Sequence, residues 1–187
     1  MAGGPGSCEM CTSCCTLVVL LAAAVLILTY GVVDNVGVTV EDASLTRLDL
    51  AGANGTDLAY GISLTVAVYN PNMAVRAEYT QPLAAELRLA TGELLRAVHL
   101  ADAGQRVEAT ETDRFRVTDQ GVTARLGGTA LTELVKEMSA GEEVSSLELK
   151  VTGEVKFRPV HAGRKRRVDA TCPLRLHRPG TNATQAH

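Results

Sequence analysis

Residues 10–33 contain no Asp, Glu, Lys or Arg, and residues 17–28 read LVVLLAAAVLIL without a polar side chain. Spanning the hydrocarbon core of a bilayer takes about 20 apolar residues at a helical rise of roughly 1.5 Å each. The uncharged run has 24 residues, which suffices. Tyr30 stands near one end, where an aromatic ring can sit at the interface. The stretch predicts a single membrane-spanning helix over residues 14–33, with residues 1–13 as a short tail before it. A cleaved signal peptide is the rival, since residues 17–28 also fit its apolar core. A signal peptide wants a basic start, however, and residues 1–16 hold no Lys or Arg.

Four of the five cysteines, Cys8, Cys11, Cys14 and Cys15, crowd the front edge of the apolar run. Cysteines beside a membrane helix are candidates for S-acylation. Their spacing lacks the two separated knuckles of structural zinc sites, so no metal is expected. Cys172 stands alone and is expected as a buried thiol; with no cysteine partner beyond residue 33, no disulfide forms within the following domain.

Residues 34–187 are enough for one domain with a real core. They hold all 18 Lys and Arg and 20 of the 21 acidic residues, a net charge of 18 − 20 = −2. With that balance, no Trp and 3% aromatics, neither bulk nucleic-acid binding nor a base-stacking platform is expected.

Beyond Asp34 a period of two dominates. Residues 60–69 place Ile62, Leu64, Val66 and Val68 on one face, the half-buried strand pattern. Further extended runs fall at 38–50, 75–79, 83–90, 94–100, 106–117, 147–157 and 168–176, with Gly153 marking a bend or bulge in the seventh of these eight runs. In residues 129–138, Leu131, Leu134, Val135 and Met138 follow helical spacing instead, with Thr129 placed as the N-cap and Gly141 as the stop. The expected fold is mostly β: an antiparallel β-sandwich of the immunoglobulin/fibronectin-like kind over residues 34–177 with one amphipathic helix, followed by a polar tail at 178–187. Ile62, Leu64, Val66, Val68, Leu134, Val151 and Phe157 should form the core.

Chemistry is sparse. No H-E-x-x-H, G-x-S-x-G or phosphate-cradling Gly loop appears. His99 reads as an ordinary sheet position, and the acidic residues 108, 111 and 113 as a charged face offset by Arg106, Arg114 and Arg116. Neither an enzyme nor a cofactor is expected. Arg164, Lys165, Arg166 and Arg167 form the sharpest charge cluster, either a solvated hairpin tip or a contact for anionic lipid or acidic wall polymer. Asn54 and Asn182 open N-glycosylation tripeptides in loop and tail. Finally, the strand at 60–69 runs into Asn70-Pro71-Asn72. Pro71 has no N–H for a ladder and keeps Asn70 from helical angles, so strand gives way to turn.

A Cys-containing N-terminus, one apolar helix, YGISLTVAVYNPN, a late helix before EVSSLELKVTGEVKF, and a basic segment followed by Cys172 together resemble a known family. The chain is similar, over residues 14–176, to the plant late-embryogenesis-abundant subgroup-two proteins (the water stress and hypersensitive response domain). Within them it resembles the membrane-anchored harpin-induced and non-race-specific-disease-resistance-like branch, of which Asn70, Pro71 and Asn72 are the signature turn. The resemblance implies a plasma-membrane, single-pass protein with a cytosolic N-terminus and an external domain. It implies a non-enzymatic role in stress or defence, exercised through contacts with protein partners or surfaces. A lipid-binding or lipid-handling domain is the alternative. A dehydration protectant is a third class, disfavoured because such proteins are usually strongly hydrophilic and this chain has a mean hydropathy of +0.10.

Overall fold

The computed structural model describes residues 6–31, 33–52, 57–123, 127–140, 143–159 and 165–177. Helix α1 (Gly6–Gly31) comes first. Eight strands follow: β1 (Gly37–Ala51), β2 (Asp57–Tyr69), β3 (Arg76–Leu89), β4 (Leu94–Ala101), β5 (Arg106–Val107), β6 (Thr112–Thr123), β7 (Glu143–Arg158) and β8 (Lys165–His177), with α2 (Gly128–Ala140) between β6 and β7. All pairings are antiparallel. One sheet has the order β1-β2-β6; the other has β4-β3-β7-β8, with β5 continuing the β4 edge of β3. The inward side chains of both sheets form one apolar cluster, the arrangement that strands with one greasy face require.

The seven expected core residues are all buried, Val66, Val68, Leu134 and Val151 completely so. The half-buried Cys172 packs against the edge of this cluster, paired in register with Leu149, and burial raises its thiol pKa.

Five expectations need correction. First, residues 75–79 and 83–90 belong to a single strand, β3, which passes through Pro82. The ladder to β7 slips between Tyr79 and Ala84, so the proline falls where no regular hydrogen bond is demanded. Second, the irregularity does fall at Gly153, but its extra residue is on β3: Pro82 and Leu83 stand opposite Gly153 alone, which pairs regularly with Val168 on its other side. Gly153 also serves close approach: a Cβ there would lie 2.7 Å from Leu83 Cδ1. Third, residues 106–117 break into β5 and β6 at a turn where Glu111 N–H donates to Glu108 O and Thr110 takes φ 60°. Fourth, α2 begins at Gly128, before Thr129. Its Glu137 accepts hydrogen bonds from Ser145 Oγ (2.8 Å) and Ser146 N–H (3.1 Å), pinning the helix to the start of β7. Burial pushes the Glu137 carboxyl up, but these bonds outweigh it and leave the pKa lowered.

The fifth concerns α1, which begins at Gly6 and so takes in all four front cysteines. Its described side chains, residues 13–27, are exposed all round, with Leu20 at 69% and Ile27 at 67%. Among the described residues no helix is long and apolar enough to cross a membrane, so the expected span over 14–33 is not met there.

Leu83 is fully buried and cannot swing clear of an added side chain. Gly153→Val should therefore cost about 1–3 kcal/mol by overpacking, measured by denaturant unfolding. An unchanged midpoint would show that β3 can yield at its slip.

Candidate functional site at the α1 end of the sandwich

Where β2 ends, Asn70 is completely buried. Its N–H donates to Glu111 O at 3.0 Å. Its side-chain amide donates to Val75 O (2.9 Å), Glu108 O (3.1 Å) and Val107 O (3.3 Å), and its Oδ1 accepts from Asn72 N–H (3.2 Å) and Asn72 Nδ2 (2.8 Å). Pro71 forces the turn that makes this possible. One side chain thus closes the β2–β3 turn and the β5–β6 loop together.

Asn72 does the same for the segment entering the domain. Its Oδ1 accepts from Asp34 N–H at 2.8 Å and its Nδ2 donates to Asp34 O at 2.9 Å, in the manner of a neighbouring strand. Its carbonyl accepts from Thr110 N–H at 3.1 Å. Val33 and Val36, on either side of Asp34, are buried in the common core. Residues 33–36, only just beyond the end of α1, are therefore part of the sandwich.

The basic cluster is divided by the pleat. Alternation sends Arg166 to the core side, where it donates to Asn35 Oδ1 (3.0 Å) and lies 5.9 Å from the Phe157 ring centre. Lys165 and Arg167 face outward, with Lys165 Nζ 2.9 Å from Glu154 and Arg167 Nε 3.7 Å from Asp169. The Lys165 ammonium, with Thr80, lowers the pKa of the Glu154 carboxyl. Each described member of the cluster has a partner, and Arg164 lies outside the described residues. So do Asn54 and Asn182. Cys14 and Cys15 are exposed on α1; the side chains of Cys8 and Cys11 are outside the described set.

Two titratable groups sit near this end. Burial raises the pKa of the Asp113 carboxyl, and Glu111 adds to the effect. The Tyr79 phenol, fully buried and without a hydrogen-bond partner among the described residues, is pushed well up by burial and then by Asp113. Sequence reasoning missed Arg76, Glu78 and Arg158, which β3–β7 register brings together on the outer face.

No family model matches the chain, and no curated protein matches its sequence. Similar solved structures include a Northeast Structural Genomics Consortium target at 13% identity, covering 81% of this chain and 93% of that one with a TM-score of 0.45. Another is a Bordetella pertussis protein provisionally named ApaA, at 12% identity, covering 79% of this chain and 96% of that one with a TM-score of 0.42. A protein from Archaeoglobus fulgidus, at 9% identity, covers 79% and 98% with a TM-score of 0.32. Likenesses this distant say nothing about function.

Asn70→Ala leaves buried carbonyls unpaired and should cost on the order of 3 kcal/mol. Asn70→Asp keeps the shape but turns a carboxylate toward three carbonyl oxygens, so it should cost more. Equal stability of the two variants in urea would contradict the hydrogen-bond assignment. Asn72→Ala should chiefly speed amide exchange at residues 34–36.

Asp113 makes a pH prediction with the opposite sign to an ion-paired carboxylate. A folded-state pKa raised above the unfolded value of about 3.9 means the fold favours the protonated form. That contribution is complete below the unfolded pKa and is lost as pH rises through the folded one. Asp113→Asn should therefore melt higher than the parent at neutral pH, with the gap closing toward pH 4. A gap that widens on acidification would contradict it.

Proposed function

We propose that this chain is a non-enzymatic, single-pass plasma-membrane protein of plant stress or defence responses. Its sandwich acts outside the membrane through contacts with proteins or surfaces, as its resemblance to the late-embryogenesis-abundant subgroup-two proteins implies. The observation that carries the reading is the charge-free run over residues 10–33, which reaches beyond the described side chains of α1. Apolar side chains exposed all round a helix are favourable in a bilayer and unfavourable in water. The described side chains of α1 are exposed all round. The clamp on Asp34 supports the reading, because it would transmit the anchor's position to the domain.

The strand order, three strands against four with β5 beside them, suits an immunoglobulin/fibronectin-like sandwich. The lipid-handling alternative has less support. The apolar seam between the sheets, lined by Ile62, Leu64, Leu87, Val98 and Val117, encloses about 10 Å³, room for about one water and not for an acyl chain.

The full chain should stay in membranes through an alkaline carbonate wash. Leu20→Arg with Ala24→Arg adds about 2.5–3.5 kcal/mol of insertion cost per residue and should release it. Expressed in stressed or infected leaves, the anchored chain should alter tissue survival and the released double variant should not. Release of the parent chain, or equal effects of the two forms, would sink the tethered-contact reading.

A further inference from the structure

The outer face of the β4-β3-β7-β8 sheet carries a like-charged pair at the end where residues 33–36 join. Arg76 on β3 lies directly opposite Arg158 on β7, an arrangement that destabilises unless something neutralises it. One carboxylate stands close by. Glu78 sits between Lys156 Nζ at 3.0 Å and Arg158 Nε at 2.9 Å, and the Lys156 hydrogen bond is the chief reason its pKa is lowered. Arg76 itself has no ion-pair partner among the described residues.

Arg76 and Arg158 both line an open cavity of about 390 Å³, with Ala74, Glu108, Ala109 and Pro159 as its other walls. That is within the usual size of ligand pockets, roughly 300–1,000 Å³. The formal charge of the lining is 2 − 1 = +1, and Arg106 Nε already approaches the single carboxylate, Glu108, at 3.9 Å. The Glu108–Ala109 wall is held in place from behind. Glu108 O accepts from the buried Asn70 amide, and Thr110, next to Ala109, is tied by its N–H to Asn72 O while holding φ 60°. A β-branched residue in that region is strained and persists because its surroundings fix it.

We propose that Arg76 and Arg158 bind the phosphate of an anionic ligand in this cavity. Each planar guanidinium fork can donate to a pair of oxygens of a tetrahedral phosphate, and a bound anion would relieve the opposed charges. The phosphate could come from solution or from a lipid headgroup. Met73, 84% exposed and next to the lining residue Ala74, together with the nearby Asp34 clamp, favours the headgroup. That source rests on the anchored reading above; the site does not.

The test uses the full chain, first in neutral detergent with inorganic phosphate, then in lipid nanodiscs of phosphatidylcholine with or without phosphatidic acid. Arginine-specific labelling by phenylglyoxal, read by mass spectrometry, reports occupancy at Arg76 and Arg158. Saturable protection by inorganic phosphate supports the site with a soluble source. Protection only in discs with phosphatidic acid supports it with a lipid source. Arg76→Gln, which gives up no ion pair, should weaken protection of Arg158 about tenfold, whereas Arg116→Gln on the other sheet should leave it unchanged. Absence of protection in both settings, or equal loss in the two variants, overturns the proposal. Failure of the chain to enter discs would count against the anchor alone, since the detergent titration still decides the site.

Discussion

A carboxamide with no access to solvent organises one end of this domain. Burying an amide is tolerable only when its donors and acceptor are satisfied. Asn70 meets that demand by drawing three carbonyls and its neighbour Asn72 around itself. The β2–β3 turn, β5 and the loop after β5 cannot move independently without stranding a polar group in the core. The apolar cluster makes the sandwich stable, but it is nondirectional. Asn70 supplies the directional constraint that fixes how the connections at this end are arranged.

Asn72 extends that constraint to the entering chain. Side-chain hydrogen bonds to both backbone groups of Asp34, with Val33 and Val36 buried beside it, make residues 33–36 a continuation of the fold rather than a tether. The entering chain is thus held to one end of the sandwich by side-chain hydrogen bonds and by two buried valines.

Much of the β-rich architecture was legible because strands with one buried face alternate with period two, and Ile62 through Val68 do so cleanly. The helix around the buried Leu134 was readable at helical spacing, although Val135 of the same pattern is exposed. The failures share a cause. Proline and glycine signals at Pro82, Gly153 and residues 108–111 depend on which strand lies alongside, and register is a tertiary quantity. The turn at Thr110 uses a residue that avoids positive φ in isolation, so no local propensity announces it. The Asn70-Pro71-Asn72 turn could be read as a stop, but its three carbonyl partners lie as far as 38 residues away in sequence and could not be read at all.

The same logic governs charge. Four consecutive basic residues look like a patch in one dimension, yet a strand sends neighbours to opposite faces. Arg166 turns inward to Asn35 and Phe157, while Lys165 and Arg167 find acidic neighbours outside. Arg76 and Arg158, far apart in sequence, are placed opposite one another by register. A local excess of positive charge on a sheet therefore arises from cross-strand pairing, not from runs along the chain. With the inward face given to the apolar cluster, such an excess acts at an outer face or an end. In this molecule the outer face and the end coincide at the cavity beside Arg76, whose far wall is held by Asn70.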